Sequence, residues 1–151
     1  TIILDETPCN KERLERSVGY MFQNPDYQIF LPQVKDELSY SLSFLKINEK
    51  EKEKRLSETA ALFSLSLSDT ASLMSYGERK RLQSAIYYSL DRPFYILDEL
   101  DSALTYKESI SILEKLSRNG AGILLITHDD DFASAVADRG YRAKEGRIYE
   151  E

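Results

Sequence analysis

The sequence predicts an α/β fold in which a mostly parallel sheet is interrupted by a helical subdomain. Residues 94–97 (Phe-Tyr-Ile-Leu) are continuously apolar and run directly into Asp98 and Glu99. Residues 122–127 repeat this pattern and end at His128. Continuous apolar runs of this length are typical of parallel strands buried on both faces. In open α/β sheets ligands bind at the carboxyl ends of the strands, where these polar residues fall.

The first elements of the chain alternate strand, helix and strand. Residues 1–5 predict a short strand, and Pro8 marks a turn. Asn10 is a suitable N-cap for a short helix. Residues 18–22 predict a second strand, and the turn formers at 23–26 end it.

The middle of the chain predicts helices. Apolar residues recur there at three- and four-residue spacing, which marks one buried helix face. They are Val34, Leu38, Leu42 and Leu45. The charged run 49–55 predicts the solvated face of a second helix, and Ser75 begins a third that extends to about Leu90. Residues 32–90 are therefore predicted to form a helical subdomain that ends in the Ser75 helix.

The last third of the chain returns to alternating helices and strands. A helix is predicted from about Thr105 to Arg118, with Gly120 at its C-cap turn. Asp129 and the two acids after it open another helix. Residues 147–149 predict a last edge strand. The predicted α/β core comprises residues 1–31 and 91–151.

Composition narrows the class of protein. The 151 residues are enough for one domain, and a net charge of −6 argues against a nucleic-acid surface. No stretch approaches the ~20 apolar residues of a membrane span, and no signal-peptide pattern opens the chain. The single cysteine, Cys9, fits a reducing compartment. The chain opens as a strand already under way and without Met, so we expect a piece of a longer protein.

The polar residues at the strand ends suggest a magnesium-nucleotide site. Asp98 would hold Mg²⁺ and Glu99 would orient and polarise the attacking water. His128 follows the neighbouring strand, so it should lie near Glu99 and reach a terminal phosphate or the water. Two simpler interpretations remain open: an ordinary strand-to-loop junction for the acids, and a structural hydrogen-bonding role for the histidine.

Two further segments have both a structural and a functional interpretation. Ser75 and Glu78 form a capping box, which by itself only satisfies free N–H groups at a helix start. Such a start, with a hydroxyl and the nearby Gly77, is also a good phosphate cradle. The basic residues 79–81 read as a solvated face. Gln23 could reach a metal or water through its amide, or be a polar loop residue.

Taken together and in order, these segments resemble the nucleotide-binding domain of ABC transporters. Residues 18–25 (Val-Gly-Tyr-Met-Phe-Gln-Asn-Pro) resemble the Q-loop, and residues 74–78 (Met-Ser-Tyr-Gly-Glu) resemble the signature motif. Residues 94–99 resemble the Walker B strand with its catalytic glutamate. Residues 102–105 (Ser-Ala-Leu-Thr) resemble the D-loop, and residues 126–129 (Ile-Thr-His-Asp) carry the switch histidine.

The segment 22–30 and the aromatic Tyr76 are similar to energy-coupling-factor and cobalt-type importers. The resemblance implies a P-loop NTPase-type sheet, a RecA-like core, and ATP with Mg²⁺ as cofactors. It also implies an ATPase that powers import of a vitamin or transition-metal ion. The implied partners are a second ATP-binding domain in a head-to-tail dimer and a transmembrane subunit docked on the helical subdomain, with no nucleic acid. The implied location is cytoplasmic and peripheral, on the inner face of the cell membrane.

The resemblance also assigns site residues. The catalytic residues would be Glu99 and His128. The metal ligands would be Asp98 and Gln23. The residues that bind ATP would be Gln23, Ser75, Tyr76, Gly77 and Glu78.

Two departures from the family pattern bear most on function. The 151 residues contain no G-x-x-x-x-G-K-[ST] phosphate loop, so the sheet would be incomplete, part of its surface uncovered, and the chain alone inactive. Thr105 stands where the D-loop usually has Asp, which puts coupling between the two sites of a dimer in question.

Two other functions are compatible with these departures. The chain could be a degenerate regulatory or scaffolding subunit that does not catalyse. It could also be the carboxyl-terminal lobe of a DNA-maintenance ATPase. In those enzymes the Q-loop lies on the other lobe across a long coiled coil, whereas here no sustained heptads separate Gln23 from Ser75.

Overall fold

A computed structural model describes residues 3–4 and 6–150 of the chain. Helices and strands alternate as the sequence predicts, with three consecutive helices in the middle. The strands are β1 (Ile3–Leu4), β2 (Thr7–Pro8), β3 (Val18–Met21), β4 (Phe94–Asp98), β5 (Gly122–Ile126), β6 (Tyr141–Lys144) and β7 (Arg147–Glu150). The α-helices are α1 (Lys11–Ser17), α2 (Val34–Ser43), α3 (Glu49–Leu62), α4 (Tyr76–Leu90), α5 (Tyr106–Leu116) and α6 (Asp130–Val136). Short 3-10 helices lie at Pro25–Tyr27 and Ala71–Leu73.

The central sheet has the order β3-β4-β5, and both strand pairs are parallel. Leu97 of β4 pairs with Met21 on one side and Leu125 on the other, so the three strands end at nearly the same level. This register brings the residues that follow each strand to one edge of the sheet. The predicted α/β fold with a parallel sheet is confirmed.

The two faces of this sheet differ in burial. Met21, Tyr95 and Leu97 are at most 1% exposed, and they belong to the hydrophobic core. Leu124 and Ile126 point to the opposite face and remain 47% and 42% exposed. The prediction that the strands are buried on both faces is therefore wrong for the described residues. A continuous apolar run does not by itself report which of its side chains meet a packing partner.

The three middle helices pack together and supply much of the core. Val34, Leu38 and Leu42 are at most 1% exposed, which confirms the predicted buried face of α2. Leu45 lies past the end of α2 and packs against the core while half-buried. Buried residues of α4 connect this group of helices to the sheet. None of the helices in the described part of the chain is long and apolar enough to cross a membrane.

The chain ends differ from the prediction. Residues 1, 2 and 5 of the predicted first strand lie outside the described residues. Ile3–Leu4 pairs with Thr7–Pro8 in a separate antiparallel ladder, so Pro8 lies in a strand and the turn precedes it. The predicted last strand is present, but it pairs with Tyr141–Lys144, a strand that the sequence analysis missed. Short strands with exposed side chains carry too little periodicity to be recognised.

Tyr87 of α4 links this helix to β3 and makes stability depend on pH. Its hydroxyl donates to the carbonyl of Tyr20, and burial raises the pKa of Tyr87 to about 12. The unfolded chain loses this proton near the ordinary value of 10.0, before the folded chain does. The contribution is therefore complete below pH ~10 and is lost as the pH rises to ~12, with a loss of at most about 3 kcal/mol.

Tyr87→Phe is expected to flatten the fall in free energy of unfolding between pH 10 and 12, measured by urea denaturation at a series of pH values. Tyr141→Phe is the control, because Tyr141 is 56% exposed. Identical pH profiles for wild type and Tyr87→Phe would contradict the prediction.

Candidate functional site

The candidate site lies where the three central strands end. Gln23 follows β3, Glu99 follows β4, and His128 comes two residues after β5. The Gln23 Nε2 donates to Glu99 Oε2 at 2.5 Å. The His128 Nε2 lies 3.2 Å from Glu99 Oε1. An amide, a carboxylate and an imidazole from distant parts of the chain therefore meet at one edge of the sheet.

Exposure differs among these three residues in a way that suits catalysis. The Glu99 side chain is 21% exposed, whereas the His128 side chain is 89% exposed. Gln23 is also exposed. The carboxylate is thus set into the protein, while the imidazole and the amide are open to an incoming ligand. Hydrogen-bonding groups arranged around one carboxylate can orient a water for attack.

The backbone of Glu99 adopts a left-handed conformation, with φ of 47°. A non-glycine residue adopts this region only when surrounding contacts hold it there. The Glu99 N–H donates to the Ile126 carbonyl at 2.8 Å. The Glu99 carbonyl accepts from the Ser102 hydroxyl at 2.9 Å and from the Lys80 Nζ at 3.0 Å. These bonds aim the Glu99 side chain at the strand edge.

Lys80 is a site-adjacent residue that the sequence analysis misread. The side chain is completely buried, so the interpretation of residues 79–81 as a solvated basic face is wrong for this lysine. Burial lowers the pKa of Lys80 to about 8, and the nearby carboxylates of Asp98, Glu99 and Asp101 oppose that shift. Lys80 lies three residues before Gln83 on α4, so the two side chains share one face of the helix. This spacing is visible in the sequence, but no local pattern shows that the face is buried.

The predicted signature segment forms the start of α4. Ser75 is the N-cap, and the capping box with Glu78 is complete, as its sequence pattern suggested. The Ser75 hydroxyl and N–H both donate to Glu78 Oε2, at 2.7 and 2.8 Å. The hydrogen bonds from Ser75 lower the pKa of Glu78, which keeps this carboxyl ionised. The structure therefore confirms the capping interpretation of Ser75 and Glu78. Ser75 remains exposed at the N-terminal end of α4.

Tyr76 and Gly77 connect the helix start to the loops beside it. The Tyr76 hydroxyl donates to the Gln23 carbonyl at 2.9 Å. A Cβ at Gly77 would lie 2.8 Å from the carbonyl oxygen of Ala103, so only glycine allows this close approach. The start of α4 therefore contacts both the Gln23 loop and the loop that follows Glu99.

Three other contacts at the site were not predicted. Arg79 Nε lies 2.8 Å from Asp26 Oδ1 and ties α4 to the loop after Gln23. The Thr127 hydroxyl donates to Asp101 Oδ2 at 2.9 Å, which connects the β5 end to the loop after Glu99. Gln83 Nε2 donates to the Phe22 carbonyl at 3.0 Å. Pairs so distant in sequence left no local signal.

Asp98 lines a cavity of about 460 Å³ at the carboxyl edge of the sheet. Gln23 and Tyr76 line the same cavity. Within the described residues no group of three or more His, Cys, Asp or Glu side chains could hold a metal. Mg²⁺ commonly binds through one or two protein ligands plus substrate phosphates and water. Asp98 and the Gln23 amide in one cavity fit that mode of binding.

Gly77→Ala is expected to destabilise the chain by about 1–3 kcal/mol, because the new methyl group meets a backbone oxygen that cannot move away cheaply. The sign is diagnostic, since Gly→Ala inside a helix without a clash stabilises by about 0.5–1 kcal/mol. Thermal unfolding measures the change. The exposed Ser57→Ala on α3 is the control and should change stability by less than about 0.5 kcal/mol. A stabilised Gly77→Ala variant would contradict the contact.

Comparison with known proteins gives the class of protein. No protein-family model matches the chain. The chain is 35% identical over 137 residues to the energy-coupling factor transporter ATP-binding protein EcfA1 of Thermotoga maritima, covering 87% of the chain and 52% of that protein. It is 33% identical over 141 residues to a putative ABC transporter ATP-binding protein of Methanosarcina mazei, covering 90% of the chain and 24% of that protein.

Solved structures agree with the sequence relatives. The structure of cbiO1 from Clostridium perfringens, part of the ABC transporter complex cbiONQ, matches with a TM-score of 0.82 and 26% identity, covering 97% of this chain and 63% of that one. The ATP-binding cassette MJ0796, in a dimeric post-hydrolysis state, matches with a TM-score of 0.78 and 20% identity, covering 97% and 71%. At that identity the second match supports the fold alone.

The resemblance read from the motifs is confirmed: the chain is a homologue of ABC transporter ATP-binding proteins and has the fold of part of an ABC ATPase domain. Among its relatives is an energy-coupling factor transporter ATP-binding protein, and among its structural neighbours is cbiO1, part of the ABC transporter complex cbiONQ. The chain spans about half the length of EcfA1.

Proposed function

We propose that this chain forms the Q-loop, signature and Walker B part of the ATP-binding subunit of an ABC-type importer, which couples ATP hydrolysis to membrane transport. The observation that carries the proposal is the meeting of Gln23, Glu99 and His128 at the carboxyl edge of the parallel sheet. The relatives named above support an importer of the energy-coupling-factor or cobalt type. Its cargo would be a vitamin or a transition-metal ion.

Each residue at the strand edge has a distinct task in this proposal. Glu99 accepts a hydrogen bond from the attacking water and polarises it. His128, exposed beside that carboxylate, contacts the terminal phosphate. Gln23 bonds to Glu99 and senses the nucleotide through its loop. Asp98 and Gln23 hold Mg²⁺, which neutralises developing charge on the phosphates when it is bound.

The start of α4 serves a second ATP-binding domain in a head-to-tail dimer. Ser75, Tyr76, Gly77 and Glu78 bind the nucleotide held by the partner's phosphate loop. The exposed Ser75 and the positive end of the helix dipole favour this role, because a helix N-terminus attracts phosphate. The Tyr76 hydroxyl donates to the Gln23 carbonyl, so a nucleotide bound at Tyr76 would affect the position of the Gln23 loop in the same chain.

The helical subdomain, residues 32–90, docks on the transmembrane subunit. The ring of Tyr40 packs edge-on against Phe30 and Phe44, and all three are exposed. A cavity of about 650 Å³ lies beside Phe30. The buried carboxylate of Glu37 accepts from the Phe30 and Leu31 N–H groups and fixes one end of this row. Exposed aromatic rows are suited to protein–protein contact, and a transmembrane partner bound to this row would hold the protein at the inner face of the membrane.

Thr105 does not favour the alternative of a degenerate, non-catalytic subunit. It is the N-cap of α5 and forms a complete capping box with Glu108. Threonine and aspartate are both good N-caps, so the substitution preserves the local structure of the loop. Helix capping therefore accounts for Thr105 at this position without requiring a non-catalytic subunit.

The 151-residue chain alone is expected to bind MgATP with a Kd above about 1 mM. The backbone amides and lysine of a phosphate loop supply most phosphate contacts in such domains, and the sequence has no such motif. Isothermal titration calorimetry measures the affinity. Micromolar binding by the chain alone would overturn the prediction.

ATP turnover by this chain joined to a phosphate-loop-bearing upstream segment tests the proposed function. That segment is the corresponding part of a relative such as EcfA1. We expect Mg²⁺-dependent release of phosphate that the chain alone does not produce. A folded protein of this kind that binds MgATP but never turns it over would count against an ATPase role.

A further inference from the structure

We propose that Lys80 is a positioning residue, which fixes the backbone of Glu99 and joins it to Phe22, the residue before Gln23. This role rests on the proposed function, because Lys80 affects catalysis only if Glu99 polarises the attacking water. Lys80 itself touches backbone carbonyls and acts through Glu99.

The ammonium of Lys80 sits between two loops. Its Nζ lies 3.0 Å from the Glu99 carbonyl, 3.5 Å from the Asp98 carbonyl and 3.4 Å from the Phe22 carbonyl. An ammonium has three donors, so three carbonyls match its capacity. One side chain of α4 therefore connects the residue before Gln23 with the residue proposed to activate water.

The position of the Glu99 carboxylate depends on this backbone. A left-handed conformation costs free energy for a residue with a Cβ, and it persists only under the constraint of neighbouring contacts. Ser102 and Ile126 hold Glu99 from the loop after it and from β5. Lys80 adds a contact from α4 to the Glu99 carbonyl and another to the Phe22 carbonyl. Because one ammonium holds both backbones, the distance between the Gln23 amide and the Glu99 carboxylate is maintained.

The contacts around Lys80 indicate that its loss would change the geometry of the site more than the stability of the fold. Phe22 O also accepts from Gln83, and Glu99 O also accepts from Ser102, so loss of the ammonium leaves these two carbonyls with a partner. Removing a buried charge also removes its desolvation cost. Lys80→Met, close in shape and uncharged, is therefore expected to lower the melting temperature by no more than about 5 °C. A positioning residue should then affect the site without unfolding the chain.

The first experiment measures geometry and needs no ATPase activity. In NMR spectra of the 151-residue chain, Lys80→Met is expected to shift the side-chain amide resonances of Gln23 and to speed hydrogen exchange of the Glu99 amide. Lys115→Met is the matched control, because Lys115 lies on α5 and contacts Ser111 and the ring of Phe63 rather than the Glu99 loop. A folded Lys80→Met chain with both signals unchanged would overturn the proposal.

The second experiment measures catalysis in a double-mutant cycle, using this chain joined to a phosphate loop. Lys80→Met is expected to lower kcat about 10- to 100-fold, as misplacement of a catalytic group by ~1 Å does, with KM changed less than about threefold. In a Glu99→Gln background the same change should lower single-turnover rates by less than about threefold, because Lys80 acts through Glu99. Lys115→Met should leave kcat unchanged in either background.

The outcomes distinguish the inference from the proposed function. An equal loss of rate with and without the Glu99 carboxylate would show that Lys80 does not act through it, and would overturn the inference. An unchanged kcat in Lys80→Met would do the same. A wild-type protein without ATP turnover would refute the proposed function instead, and the NMR signals of Gln23 and Glu99 would still decide whether Lys80 holds the two loops together.

Discussion

Glu99→Gln, in this chain joined to a phosphate loop, is expected to slow ATP hydrolysis by about 10²- to 10⁴-fold. Glutamine has the shape of glutamate but cannot accept a proton or polarise water as a carboxylate does. The contacts to the Glu99 backbone do not involve the carboxylate, so the left-handed loop should be retained. Phosphate release at saturating ATP measures the rate.

Binding of nucleotide should survive the substitution. Phosphate contacts are expected to come from the phosphate loop and the partner's signature segment, so the Kd for ATP should change by less than about threefold. Glu114→Gln is the matched control, because Glu114 is exposed on α5 and away from the strand edge. Turnover equal to wild type in Glu99→Gln would remove Glu99 from the proposed mechanism.

Much of the site could be predicted because its signals are local. Apolar residues that run into Asp98 and Glu99 identify a strand and its end within a few residues of sequence. The chain order then places His128 after the neighbouring strand, since consecutive parallel strands tend to lie side by side. The Ser75 capping box is equally local, and the structure forms it.

Lys80 shows where prediction from sequence stops. Lysine is rarely buried, so a basic cluster at a helix start reads as surface. Its burial depends on the carbonyls of Phe22 and Glu99, which come from two loops far apart in the sequence. The bond from Tyr76 to the Gln23 carbonyl has the same origin. Such contacts follow from tertiary packing, which no local pattern encodes.

The faces of the sheet illustrate a second limit. The apolar runs that form β4 and β5 predict strands correctly, but they do not report that Leu97 is fully buried while Leu124 is 47% exposed. Alternation between the two faces is hidden when every residue in the run is apolar. Only the register of β4 with its neighbours shows that Leu97, Met21 and Leu125 share the buried face.

Leu97→Ala is expected to lower the free energy of unfolding by about 2–5 kcal/mol. Leu97 is in the middle strand, is 0% exposed and belongs to the main hydrophobic core. Its truncation removes apolar contacts and leaves a cavity between β4 and the helices that cover this face. A domain with a total stability of roughly 5–15 kcal/mol would lose a large share of it. Urea denaturation of the chain measures the loss.

Leu124→Ala tests whether the burial of Leu97 causes this loss. It is the same substitution on the adjacent strand β5, at a side chain on the exposed face. Its expected cost is about 1 kcal/mol, well below that of Leu97→Ala, because nearly half of the Leu124 surface is already in contact with water. Equal losses in the two variants would mean that both faces of the sheet are covered in solution. In that case a second molecule or a further part of the protein would have to pack over Leu124. The melting temperature distinguishes the two, because it rises with protein concentration only if a second molecule covers this face.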